Sequence, residues 1–192
     1  MTTPGSGVGG PAGPLDQQAV AQQAVAQQAV AELTARQQRV AVAESLTGGL
    51  LAAALASVPG ASVVFRGGIV AYATDLKASL LGVDPAVLDR CGAVSAETAQ
   101  AMAEGVRTRL GATFGLATTG VAGPDPAEGK PVGTVYIAAT RGDTGAGTRQ
   151  TYERDDRIIR RLDLAGSRND IRGQTVTEAL ALLLVMMREE TR

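Results

Sequence analysis

The chain has 192 residues, of which 45% are hydrophobic and 19% charged, and this combination suits one domain with a substantial core. Its net charge of −1 provides no basic excess that would attract nucleic acid or a membrane surface. Histidine is absent, which excludes Ser-His-Asp and Cys-His catalysis, and the single cysteine, Cys91, excludes an intrachain disulfide. With so little cysteine we expect a cytoplasmic protein. We expect no metal, since the aspartates are scattered and show no ligand spacing, and we expect no cofactor.

The N-terminal region divides into a tail and a repeat. Residues 1–15 are rich in Gly and Pro, carry no secretory signal, and predict a disordered tail. The sequence QQAVA then occurs three times from Gln17 to Ala31. Its composition favours a helix over residues 16–38, but a five-residue period turns each equivalent position by roughly 140°. The repeat has no single apolar face, so this helix is expected to join the fold only near Val30 and Leu33.

The folded domain is predicted to cover residues 39–192. Residues 40–43 form a short apolar run that is typical of a buried strand. From Thr47 the apolar positions follow a helical period and end before Gly60. A second strand is expected over residues 63–72, bent at Gly67 and Gly68, followed by short helices over 75–81 and 85–89.

The second half of the domain continues the alternation. Ser95 is a good N-cap for a helix that ends at Gly111, and residues 114–118 predict a buried strand. A Gly/Pro-rich loop precedes a strand over 134–140, and residues 150–164 predict one or two more strands with a turn at Asp155–Asp156. The last helix begins near residues 168–171. This order predicts an α/β fold, a single domain with a central mixed sheet flanked by helices.

The first candidate site is the stretch AESLTGG, where a strand turns into a helix. Thr47 is placed to cap that helix, and the backbone N–H groups of Gly48, Gly49 and Leu50 are expected to form an anion site. The glycines let a ligand approach the backbone, and Ser45 stands beside them with an exposed hydroxyl.

A second cluster follows another strand, in the stretch TTGVAGP. It contains Thr118, Thr119, Gly120 and Gly123. Open α/β sheets bind ligands at the carboxyl ends of their strands. Two clusters of this kind therefore predict one crevice that receives residues from both.

The motifs AESLTGG, GGIVAYATDLKASLLGV, GAVS, TGVAGP and PVGTV occur in this order. Together they resemble the C-terminal domain of the CinA (competence/damage-inducible) family, whose stand-alone members are nicotinamide mononucleotide deamidases. The resemblance covers roughly residues 30 to 190. It implies hydrolysis of the nucleotide's carboxamide to nicotinate mononucleotide and ammonia, and a homodimer. The family's proposed catalytic residues fall on Ser45, Tyr72 and Lys77.

The sequence departs from the family pattern at two places. Many members have Cys after the serine, where this chain has Leu46, so a thiol there cannot be essential to its activity. The usual Y-S-N-E-A-K is YATDLK here. If the family's Asn holds substrate, Thr74 or Asp75 must replace it.

Without histidine, the base for amide hydrolysis must be Lys, Tyr, Asp or Glu. Our hypothesis is that Lys77, with Tyr72 as a proton relay, activates Ser45 as the nucleophile. Backbone N–H groups near Ser45 or in the TTGVAGP loop would then hold the oxyanion.

Several residues are candidates for binding the rest of the nucleotide. Glu44 is expected to orient Lys77 or bind ribose. The phosphate is assigned either to Thr47–Gly49 or to the loop from Thr118 to Gly123. Arg168 and Arg172 could reach it, although salt bridges to Asp163 or Asp170 are an equal alternative. The expected substrate-binding residues are Glu44, Thr47, Gly48, Gly49, Thr118, Thr119, Gly120, Gly123 and Arg168.

Other functions stay open on the sequence alone. The same scaffold could hydrolyse a different pyridine or nucleotide amide. It could also be a catalytically inactive nucleotide sensor, or a partner of a competence or repair protein. A P-loop or Rossmann module is disfavoured, because neither glycine fingerprint occurs at a strand–helix junction.

Overall fold

An interior strand of the sheet, β1 (Val40–Glu44), is buried along its whole length. The computed structural model describes residues 14–142 and 157–189. In this part of the chain the strands lie in the order β2-β1-β3-β4-β5. β1 runs parallel to its two neighbours, and the pairs β3–β4 and β4–β5 are antiparallel. The other strands are β2 (Phe65–Val70), β3 (Phe114–Gly120), β4 (Thr134–Arg141) and β5 (Arg157–Asp163).

Helices cover both faces of this sheet. The first face packs against α1 (Pro14–Ala35), α2 (Leu50–Ala56) and α6 (Arg168–Glu189), and the second against α3 (Thr74–Leu81), α4 (Pro85–Cys91) and α5 (Ala96–Leu110). Successive side chains of a strand point to opposite faces, so Val40 and Val42 enter the first core and Ala41 and Ala43 the second. The predicted single α/β domain with a mixed, helix-flanked sheet is confirmed.

Two predicted strands have different bounds in the structure. The strand expected over residues 63–72 is shorter, because a 3-10 turn at Ala61–Val63 precedes it and the chain leaves the sheet after Val70. Tyr72 therefore follows the strand. The region predicted over 150–164 contains β5, whereas residues 150–156, with the turn expected at Asp155–Asp156, lie outside the described residues.

The N-terminal helix joins the fold earlier than its repeat predicted. Ala26 and Ala29 are fully buried, in addition to Val30 and Leu33. The side-chain amide of Gln18 donates to the carbonyl of Asp170 at 3.2 Å. Small alanines let α1 lie close against α6, so α1 packs on the domain without a strong apolar stripe. Residues 1–13 of the expected tail lie outside the described residues.

The structure also bears on membrane insertion. Within residues 14–142 and 157–189, every helix is too short or too polar to cross a bilayer.

One glycine marks a close approach between helices. A Cβ on Gly105, in α5, would lie 1.9 Å from the carbonyl oxygen of Leu81 at the end of α3. Because that oxygen belongs to the backbone, it cannot move aside cheaply. Gly173 in α6 is a useful contrast, since its Cβ would meet only the flexible side-chain amide of Gln18.

We predict that Gly105→Ala lowers the free energy of unfolding by about 2 kcal/mol or more, because overpacking outweighs the gain in helix propensity. Gly173→Ala, the matched substitution in another helix interior, should change it by less than about 1 kcal/mol. Urea denaturation followed by circular dichroism measures both. Equal effects at the two positions would contradict this account of the α3–α5 contact.

Candidate active site

The turn between β1 and α2 is closed by the carboxylate of Glu44. This side chain is fully buried. Its oxygens accept hydrogen bonds from the backbone N–H groups of Gly49, Leu51 and Ala52 at 3.0, 3.0 and 2.8 Å. These donors belong to the first turn of α2, whose positive end favours a carboxylate. Glu44 is thus the anion at this helix N-terminus.

The anion site expected at Gly48, Gly49 and Leu50 is therefore filled from within the chain. Gly48 N–H donates to the carbonyl of Ser45 at 3.1 Å, and Leu50 N–H to that of Thr47 at 3.2 Å. Gly49 N–H donates to Glu44. These contacts disfavour Thr47–Gly49 as the place of the phosphate, and the alternative, the loop from Thr118 to Gly123, stays a prediction. Glu44 makes no hydrogen bond to Lys77, because its buried oxygens are engaged by α2 and are not free for ribose.

Thr47 does not cap α2, as the sequence suggested. Its hydroxyl is 2.7 Å from that of Thr118, and both side chains are buried. The N-cap residue is Gly49, with φ of 99°, and Gly48 has φ of 57°. Such positive φ angles favour glycine, and they let the chain turn tightly enough for Glu44 to reach the helix.

Ser45 and Lys77 form a buried pair. The Lys77 ammonium lies 3.1 Å from Ser45 Oγ, and only 1% of the lysine is exposed. It also donates to the carbonyls of Ala71 at 2.8 Å and Tyr72 at 3.3 Å. Burial lowers the pKa of Lys77 below its ordinary value of 10.5, while the negative charges of Glu128 and Asp75 raise it in part. The pair that the sequence placed together is thus in contact.

A cavity of about 180 Å³ opens at this pair. Thr74 lines it, whereas Asp75 lines a separate groove between α3 and α4. Of the two residues considered as replacements for the family's Asn, Thr74 is the one at the cavity. The lining residues are Ser45, Leu46, Tyr72, Thr74, Lys77, Ala93, Val94, Thr119, Gly120, Ala122, Glu128 and Arg168.

Tyr72 and Arg168 form the rim of the cavity. Tyr72 is 58% exposed, and Arg168 donates to its hydroxyl at 2.8 Å. The other arm of the Arg168 guanidinium donates to the carbonyl of Gly123. The structure therefore links the Tyr72 hydroxyl to Arg168 and not to Ser45 or Lys77. The relay role of Tyr72 stays a prediction, and its backbone carbonyl is the part that contacts Lys77.

The salt bridges considered for the arginines do not form. Asp170 accepts from the N–H and hydroxyl of Ser167 at 2.8 and 2.7 Å, and Asp163 pairs with Arg161. Arg172 donates instead to the carbonyls of Leu46 and Thr47 at 3.0 and 2.9 Å. It braces the backbone beside Ser45 from α6.

The residues of the second cluster have separate roles. Thr119 lines the cavity and donates its hydroxyl to the carbonyl of Ala93 at 2.7 Å. Gly120 also lines the cavity, while Thr118 lies beneath it against Thr47. Gly123 reaches the site only through Arg168.

Sequence reasoning missed Glu128, which lines the cavity and accepts from two backbone N–H groups of residues 93–94. The contact spans more than 30 positions along the chain, so no local pattern indicates it.

Among the described residues, no group of three or more His, Cys, Asp or Glu side chains is placed to hold a metal ion.

The CinA C-terminal domain family matches residues 22–187 of the chain. The chain belongs to this family. A CinA-like protein of Frankia casuarinae is 55% identical over 155 residues, which are 81% of this chain and 33% of that protein. A putative competence-damage inducible protein of Desulforamulus reducens is 49% identical over 143 residues, 74% of this chain and 32% of that protein. The chain thus spans about a third of the length of these CinA relatives.

Solved CinA-family structures are closer to this chain in length. Competence/damage inducible protein CihA of Agrobacterium tumefaciens has 34% identity and a TM-score of 0.77, covering 86% of this chain and 95% of that one. A CinA superfamily protein of Klebsiella pneumoniae has 30% identity and a TM-score of 0.79, covering 88% and 98%. The family is therefore one of competence- or damage-inducible proteins, and residues 22–187 of this chain correspond to its CinA C-terminal domain.

We predict that Glu44→Ala lowers the free energy of unfolding by about 3 kcal/mol or more, because three backbone donors lose their acceptor in a buried place. Glu44→Gln keeps one acceptor oxygen and should cost less, about 1 to 3 kcal/mol. Urea denaturation of both variants gives the comparison. A loss below about 0.5 kcal/mol in Glu44→Ala would show that water replaces the carboxylate at α2.

Proposed function

We propose that this CinA domain hydrolyses the carboxamide of nicotinamide mononucleotide to nicotinate mononucleotide and ammonia, with Ser45 as nucleophile and Lys77 as base. The observation that carries the proposal is the 3.1 Å contact between the serine hydroxyl and the lysine nitrogen at a cavity. A serine is a weak nucleophile unless a neighbouring base takes its proton, and a lysine can do so only when it is neutral.

The surroundings of Lys77 suit a neutral amine. Burial lowers its pKa and so favours loss of its proton. A neutral amine has two N–H donors and one lone pair. The carbonyls of Ala71 and Tyr72 can take the two donors, which leaves the lone pair directed to Ser45. The nitrogen is thus prepared to accept the hydroxyl proton.

The proposed reaction has two halves. Ser45 Oγ attacks the carboxamide carbon while its proton passes to Lys77, and a tetrahedral oxyanion forms. Lys77 then returns that proton to the amide nitrogen, the C–N bond breaks, and ammonia leaves an ester on Ser45. Water attacks the ester and gives its proton to Lys77, which returns it to Ser45 Oγ as the nicotinate leaves. No cofactor is consumed.

The oxyanion must be held by donors that are still available. Ser45 N–H donates to the carbonyl of Thr118 at 3.0 Å, and those of Gly48 and Gly49 are also engaged. Val121 N–H is engaged as well, since it donates to the carbonyl of Thr134 at 2.9 Å. We therefore assign the oxyanion contact to the N–H groups of Gly120 and Ala122, two residues that line the same cavity.

The size of the cavity favours the entry of only one part of the nucleotide. Pockets that enclose whole small ligands measure roughly 300 to 1,000 Å³, and this one is about 180 Å³. It suits the pyridine ring and its carboxamide, so ribose and phosphate extend over the rim. There Arg168 offers a guanidinium to the phosphate and Tyr72 a ring beside the nucleotide. A homodimer and a cytoplasmic location are further expectations for the CinA domain.

We predict that Ser45→Ala lowers kcat for ammonia release by about 10³-fold or more and still binds the nucleotide, because only the attacking group is lost. Lys77→Met should have a similar effect. Ser79→Ala is the control, since this serine lies on the exposed face of α3. Ammonia release by a coupled assay and binding by calorimetry give the two readouts.

Two results would contradict the proposal. If wild type binds nicotinamide mononucleotide and releases no ammonia, the domain is a nucleotide-binding module. If Ser45→Ala keeps its kcat, the nucleophile is another group.

The pH dependence of the reaction should report Lys77. Because the neutral amine is the active form, kcat/KM should rise with pH as Lys77 loses its proton. Burial lowers its pKa, so the midpoint of this rise should lie below 10.5. A pH profile of ammonia release, with circular dichroism to show that the fold persists, measures it. A rate that falls with rising pH across this range would contradict Lys77 as the base.

A further inference from the structure

Glu128 occupies a backbone conformation that its residue type seldom adopts. Ala127 and Lys130 exchange backbone hydrogen bonds at 3.2 and 2.9 Å, which closes a two-residue turn. The central residues, Glu128 and Gly129, have φ of 52° and 69°. Turns with two positive φ angles favour Asn, Asp and Gly. A glutamate there carries strain that the surrounding structure must offset, and such strain is often found at functional sites.

The contacts of its side chain account for this placement. Glu128 Oε1 accepts from the N–H of Ala93 and Oε2 from the N–H of Val94, each at 3.0 Å. From the other side, Thr119 donates to the carbonyl of Ala93 at 2.7 Å. Gly92 has a φ of 79°, which favours glycine, and a Cβ there would also displace the Glu128 carboxylate. Ala93–Val94, a wall of the cavity, is held from both sides.

The same carboxylate brings negative charge to the cavity that Lys77 lines. The other ionisable side chains lining it are Tyr72 and Arg168, and Lys130, which is outside the cavity, forms an ion pair with the Glu128 carboxylate at 3.8 Å. Asp75, on the same helix as Lys77, acts from the neighbouring groove and Glu44 is engaged by α2. Glu128 has the larger of the two acidic effects, and it raises the pKa of Lys77 against the effect of burial.

We propose that Glu128 is a positioning residue of this site: its carboxylate fixes the Ala93–Val94 wall of the cavity and supplies the negative charge that balances Lys77. The catalytic meaning of this role rests on the proposed amide hydrolysis, in which Lys77 alternates between a neutral and a charged form. The structural role stands apart from it. Aspartate or asparagine would suit the turn better, but these side chains are too short to reach the wall.

The sequence makes a direct test possible, because Lys77 and Lys130 are its only lysines. Protein labelled with ¹³C-lysine gives two side-chain signals whose pH titration is read by NMR, and Lys130→Arg leaves that of Lys77 alone. In Glu128→Gln, which removes the charge and keeps the length, the Lys77 midpoint should move to lower pH. Asp75→Asn should move it in the same direction by less.

The wall is tested by hydrogen exchange at the amides of Ala93 and Val94. The variant Glu128→Asn places in the turn a residue type that the turn favours, and it removes the acceptor of both amides. Both amides should therefore exchange about tenfold faster. Asp75→Asn should leave them unchanged, which separates the hydrogen bonds from the charge. Neither readout depends on turnover, so a wild type that releases no ammonia would refute the reaction and leave this test intact.

The proposal is overturned by either of two results. One is a Lys77 midpoint that does not move in Glu128→Gln. The other is continued protection of both amides in Glu128→Asn.

Discussion

The site depends on one buried charge, the carboxylate of Glu44. A fully buried carboxylate is costly unless hydrogen bonds replace its water, and here three N–H groups of α2 do so. This contact fixes the angle between β1 and α2. The next residue, Ser45, is held as well, because its N–H donates to the carbonyl of Thr118 and extends the pairing of β1 with β3 by one position. Its hydroxyl is therefore presented to the cavity by a rigid backbone.

Burial has a different consequence at Lys77. Three N–H groups of α2 donate hydrogen bonds to the Glu44 carboxylate, whereas burial of Lys77 destabilises its cation and lowers its pKa. The acidic side chains Glu128 and Asp75 limit this effect, so the lysine is neither an ordinary ammonium nor an isolated amine. The proposed reaction requires such a balance, because its base takes a proton and returns it in each half, and the two forms of that base have to be close in free energy.

The sequence predicted the alternation of strands and helices and the meeting of Ser45 with Lys77, because apolar periodicity and ordered motifs carry both. It did not predict the role of Glu44, since a free helix N-terminus and one filled by a side chain five residues away look alike in a sequence. Tyr72 was placed at a strand end, but β2 stops at Val70 and the ring lies on the rim. Glu128 escaped notice because its partners are 34 and 35 positions distant.

Sheet register explains why a serine and a lysine so far apart in sequence can meet. Glu44 pairs with Val70 across the adjacent parallel strands β1 and β2, and Ala71 N–H donates to the Glu44 carbonyl at 2.9 Å. Neighbouring strands lie about 4.8 Å apart, so the residues just beyond these ends, Ser45 and Ala71, are necessarily close. The Ala71 carbonyl then anchors the Lys77 nitrogen beside the serine. A shift of one residue in this register would turn Ser45 to the opposite face of the sheet, so the packing that fixes the register also fixes the serine–lysine pair.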